Sequence, residues 1–102
     1  MSREVPIPDD PMSPEEAAAF ARLSKEEVKE IDNAILSCAA SRWLKVARVV
    51  VEAEGKLRAK YPQFSYNFYA DRVAFLAESD CLDWQGDLSC IRFSEVRLPD
   101  EN

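Results

Sequence analysis

Apolar residues along this chain follow two different periods. Val28, Ile31, Ile35 and Cys38 recur every three or four positions, which places them on one stripe of a helix. Ser24 precedes them with Glu27 three residues on, the pattern of a capping box. The same signal occurs eleven residues earlier. Ser13 can cap, Pro14 suits the first helical position and Glu16 completes the box, with AAAFARL following. Two capping boxes in tandem predict two short helices with a bend between them. A third helix is predicted over about 43–60, with Trp43, Val46, Ala47, Val50, Ala53 and Leu57 on one broad face. Pro62 stops it by biasing Tyr61 away from helix. Ser65 or Asn67 can cap a fourth helix ending near Ser79, with Tyr69, Val73, Leu76 and Ala77 inward.

Beyond Ser79 the period changes to two. Leu82 and Trp84 alternate with polar residues, as do Ile91 and Phe93, and Gly86-Asp87 between them is a hairpin signal. The apolar phase then slips at Ser94-Glu95, because Val96 and Leu98 fall on even positions. A bulge or corner in the return strand would produce that slip, as would two separate extended pieces. The predicted fold class is mostly α with a C-terminal β-hairpin, in the order of a winged helix: a helix-turn-helix plus a wing. Trp43, Val50, Leu57, Tyr69, Leu76, Ile91 and Val96 are expected in a common core. The expected organisation is a flexible acidic, proline-rich arm over 1–12, a single domain over 13–98 and a tail over 99–102.

Composition narrows the function more by exclusion than by signature. The 102 residues suffice for one small domain. Histidine is absent, which removes Ser-His-Asp and Cys-His catalysis and histidine-ligated metals. Two glycines leave no phosphate-cradling loop. Cys38, Cys81 and Cys90 are odd in number and lack a C-x-x-C, unlike a disulfide framework or a zinc site. The chain is expected to be no enzyme and to need no cofactor or metal. Without a 20-residue apolar run or a basic-then-apolar leader, it reads as a cytoplasmic protein with no membrane partner.

One stretch resembles a known family. Ile31-Asp32, Trp43-x-Lys45-Val46-Ala47-Arg48-Val49-Val50, Arg72, Gly86-Asp87-Leu88-Ser89 and Arg92-Phe93-Ser94-Glu95-Val96-Arg97-Leu98 together resemble DUF3658, a bacterial domain family of unknown function. The resemblance spans about residues 23–98, and R-F-S-E-V-R-L is its most specific part. It implies no activity, cofactor or catalytic residue. The chain departs from the family at Asp80, where a glycine is usual before the wing, and in carrying Cys90 within the wing.

Charge distribution supplies the candidate sites. The net charge is −6, yet residues 42–72 hold seven basic and three acidic residues. Arg42, Lys45, Arg48, Lys56 and Lys60 gather on one face of the predicted third helix and could meet phosphates. The preferred reading of these cations is a solvated helix face with a Glu52 to Lys56 pair. The fourth helix argues against reading DNA, since Asp71 and Glu78 lie on its outward face and Asp83 and Asp87 flank the wing turn. Phe68 and Phe75, rimmed by Asp71 and Glu78, could instead form the centre of a protein interface, or be buried by the N-terminal helix through Phe20. Arg72, Arg92 and Arg97 could grip an anion or partner; alternatively Ser94, Glu95 and Arg97 hold a strand corner. The functional expectation is a small protein-binding module, of inhibitor or immunity type by analogy. The alternative is a winged-helix DNA-binding regulator using the basic face of 42–60.

Overall fold

The computed structural model describes residues 12–100. The arm expected over 1–12 therefore lies, except for Met12, outside the described residues. Helix α1 (Pro14–Ala21) and helix α2 (Lys25–Cys38) both start on the predicted capping boxes. Ser13 Oγ accepts the Glu16 N–H at 3.1 Å, while the Ser13 N–H donates to Glu16 Oε1 at 3.0 Å. Ser24 and Glu27 repeat the arrangement at 3.1 and 2.9 Å.

The third helix is shorter than its apolar stripe suggests. Trp43 precedes a two-residue strand, β1 (Leu44–Lys45), and helix α3 runs only from Val46 to Leu57. Leu44 and Lys45 pair with Val96 and Glu95, so partners some 50 residues away override the local helical pattern. Helix α4 (Tyr66–Glu78) follows and ends in a Schellman turn. The Cys81 N–H reaches the Leu76 carbonyl at 2.8 Å, the Asp80 N–H reaches that of Ala77 at 3.2 Å, and Asp80 takes φ 64°.

Strand β2 (Asp83–Gly86) and strand β3 (Ser94–Arg97) complete an antiparallel sheet ordered β1-β3-β2. This corrects the predicted hairpin. The chain does not turn tightly at Gly86-Asp87 with a return strand through 88–93. Residues 87–93 form a closed loop ending in a 3-10 turn, Ile91–Phe93. Asp87 Oδ1 accepts the Ser89 N–H at 3.0 Å, Ser94 Oγ donates to the Cys90 carbonyl at 3.0 Å, and the Asp87 N–H donates to the Phe93 carbonyl at 2.9 Å. The slip of apolar phase at Ser94 is thus a change of element. Ile91 and Phe93 belong to a 3-10 turn and Val96 to a strand. Gly86 permits the closure: at φ +83° it lies so near Phe93 that a Cβ would sit 2.3 Å from the Phe93 carbonyl oxygen.

The core sits where α2, α3, α4 and the inner sheet face meet. Ile31, Ile35, Val49, Val50, Tyr69, Val73 and Val96 are fully buried. Of the expected core, Val50, Leu57, Tyr69, Leu76 and Val96 are buried, whereas Trp43 and Ile91 are half-buried. Trp43 adjoins the sheet's outer face and Ile91 lies in the loop. Among the described residues, no helix is long and apolar enough to cross a membrane.

Candidate functional site

In β3 the pleat sends Ser94 and Val96 inward, leaving Glu95 and Arg97 on the opposite face. Register then fixes their neighbours. Lys45 and Gln85 flank Glu95, and Asp83 stands opposite Arg97. Gln85 Nε2 donates to Glu95 Oε1 at 2.7 Å. Arg97 Nε donates to Asp83 Oδ2 at 3.2 Å, and its guanidinium lies 4.4 Å from the centre of the Trp43 ring. At the loop end, a hollow of about 340 Å³ is bounded by Lys45, Gln85, Gly86, Phe93, Ser94 and Glu95. Phe93 is 72% exposed, the most exposed of the large apolar residues described. Lys45 and Arg92 are exposed cations without a side-chain partner among the described residues. Of the nearby acids, Glu95 accepts from the neutral Gln85, Asp87 from the neutral Ser89, and Asp83 from the cationic Arg97.

Other predicted site residues are placed differently. Phe68 is fully buried, with its ring stacked 3.8 Å from that of Phe64 and 5.6 Å from that of Phe20. Burial under the N-terminal helix is therefore the alternative that holds for Phe68. Phe75 is 48% exposed and lies against the Arg72 guanidinium at 4.4 Å, while Glu78 is exposed. Asp71 accepts the Met12 N–H at 2.8 Å. Burial pushes its carboxyl above the ordinary range, partly opposed by that N–H.

The three arginines do not form one grip. Arg72 is buried and committed to Asp32, Arg97 to Asp83 and Trp43, and of the three only Arg92 has no side-chain partner among the described residues. The five-cation track also breaks up. Arg42 and Lys45 precede α3, and Arg48 pairs with Glu52 at 3.1 Å, displacing the expected Glu52 to Lys56 pair. Lys56 donates to Ser37 Oγ on α2 at 3.1 Å. Lys60 donates to Glu30 at 2.8 Å, and Tyr61 adds its hydroxyl to the same carboxylate. The Lys60 hydrogen bond, then that of Tyr61, holds Glu30 below its ordinary pKa.

Sequence reasoning missed the exposed Phe93, because alternation assigned it to a strand. The Asp87-x-Ser89 spacing was the available signal, since aspartate commonly closes a turn onto the amide two residues ahead. It also missed the second role of Glu16, whose Oε2 accepts the Ser65 N–H at 2.6 Å and so caps α4 as well as α1. Among the described residues no group of three or more histidine, cysteine, aspartate or glutamate side chains could hold a metal ion. No family model, curated protein or solved structure matches this chain.

Proposed function

We propose that this chain is a non-enzymatic protein-binding module that docks its partner on the outer face of the sheet. The observation that carries this reading is Phe93, held exposed by the closed loop 87–93 at the rim of a hollow that also includes Lys45. An exposed aromatic beside a polar rim is the composition of an interface centre. Phe93 favours a partner with an apolar side chain, seated in a rim of balanced charge in which Lys45, Arg92 and Arg97 stand against Asp83, Asp87 and Glu95.

The second reading is a winged-helix DNA binder. Its support is topological: from α2 onward the order is helix, strand, helix, helix, strand, strand, with β3 central in the sheet. Asp80, where the chain departs from the glycine usual in DUF3658, takes a positive φ, a conformation that glycine adopts without a Cβ penalty. Against DNA reading, α4 carries Asp71 and Glu78 and is packed by α1, and of the five cations Lys56 and Lys60 are engaged by Ser37 and Glu30 of α2 and Arg48 by Glu52.

Titration of a labelled duplex at two salt concentrations, beside affinity capture from the native host with wild type and Phe93→Asp, separates the two. Protein binding predicts no salt-sensitive duplex binding near ~10⁻⁴–10⁻⁶ M and loss of one captured protein in the variant. Tight, salt-sensitive duplex binding that fades with Lys45→Glu would overturn the proposal.

A further inference from the structure

Helix α1 occupies α4 in the manner of a bound ligand. It has eight residues, fewer than the ~12–15 below which an isolated helix is marginal, so its helicity depends on docking. Two side chains four residues apart, and hence on one face, carry the seat. Glu16 places Oε2 on the Ser65 N–H at 2.6 Å, at the N-terminus of α4, where Ser65 makes no side-chain cap of its own. Phe20 lies 5.6 Å from the Phe68 ring and 4.9 Å from the Arg72 guanidinium. The Met12 N–H on Asp71 adds one polar contact. Only residues 22–24 tether α1 to α2.

We infer that the surface of α4 formed by the Ser65 amide, Phe68, Asp71 and Arg72 is a helix-binding groove. In this structure α1 fills it as an internal ligand, and it accepts in its place an amphipathic helix from a partner protein with a carboxylate and an aromatic four residues later. The seated helix supplies the chemistry directly. A negative group is favoured at a helix N-terminus, and an aromatic ring is favoured between Phe68 and the Arg72 guanidinium. This groove is independent of the sheet face.

The probe is a synthetic peptide of residues 12–23 added to the full-length protein, followed by amide NMR. Saturable shifts at Ser65, Phe68 and Arg72 are expected, and a peptide carrying Phe20→Ala should lose them. The deciding variant is Ala18→Gly in the protein, at an exposed position in the middle of α1. It weakens the internal helix without touching a contact. The open fraction, and with it the apparent affinity for the unaltered peptide, should rise about fivefold. Hydrogen exchange of the wild type should show α1 amides opening well before those of α2 to α4. Absence of shifts up to millimolar peptide would overturn the inference. So would an affinity unchanged by Ala18→Gly, or α1 amides exchanging only with the rest of the fold.

Discussion

Arg72 on α4 grips Asp32 on α2 with two parallel hydrogen bonds, Nε to Oδ1 at 3.0 Å and Nη2 to Oδ2 at 2.7 Å. The two side chains are only 9% and 17% exposed. Phe20 and Phe75 also lie against the guanidinium, which leaves it little hydration to draw on. An arginine that sequence offers as an anion grip is therefore a cross-brace between two helices of the core.

Breaking a buried pair from one side strands the other charge. Arg72→Ala should lower unfolding free energy by about 3 kcal/mol, the lower end of the range because Asp32 keeps some solvent. Arg72→Met combined with Asp32→Leu should recover most of that loss. Urea denaturation of the set checks it; equal losses in the single and double variants would contradict the stranded-charge explanation.

Glu16 ties α1 to α4, and its acid titration should show it. Burial pushes its carboxyl up, but hydrogen bonds from Ser13 and Ser65 outweigh burial, and its pKa lies below the ordinary 4.5. A carboxylate lowered in the fold adds stability above its unfolded pKa and loses it as pH falls through the folded one. Asp71 is raised by burial and works in the opposite sense, relieving a cost as it protonates. Glu16→Gln should cost about 1–3 kcal/mol at pH 7 and flatten the fall in stability below pH 4.5. Thermal melts across that window measure both.

Two left-handed positions predict opposite responses. Asp80, at φ 64° in the Schellman turn, should gain about 0.5–1 kcal/mol on Asp80→Gly, because glycine adopts this conformation without a Cβ penalty. Gly86→Ala should cost at least ~1–2 kcal/mol from its positive φ alone, and more from the close approach to Phe93. Denaturant midpoints of the two variants should move in opposite directions.

The Tyr69 hydroxyl is buried with no hydrogen-bond partner among the described residues. Burial, then the charge of Glu54, pushes its pKa up to about 12. Tyr69→Phe should match wild type or exceed it by about 1 kcal/mol. Wild-type stability should fall as pH rises from 10 toward 12, since the unfolded phenol ionises first. That alkaline loss should be smaller in Tyr69→Phe; an unchanged loss would contradict burial as its source.

Local signals were the legible part of the fold. Ser13 with Glu16 and Ser24 with Glu27 bond within a single turn, so four letters suffice to place each helix start. Trp43, Leu44 and Lys45 were misread because their state is set by Val96 and Glu95, distant in sequence. Ile91 and Phe93 alternate like strand residues, yet the Asp87 and Cys90 carbonyls close turns around them. Phe68 could not be resolved from its own helix, since its exposure depends on where Phe20 docks. Of the candidate site, Lys45 and Arg97 were named for their charge. Their relation to Gln85, Glu95 and Trp43 came only with strand register.

Protein binding through the sheet face is tested most directly by photocrosslinking in the native host, with a photoreactive phenylalanine at position 93. Its 72% exposure means the replacement should leave the fold intact, within about 0.5 kcal/mol. The same probe at Lys29, exposed on α2, serves as the control. A discrete protein adduct at position 93 and none at Lys29 is the expected result. Adducts to nucleic acid at position 93, or equal protein labelling at both positions, would contradict docking on this face.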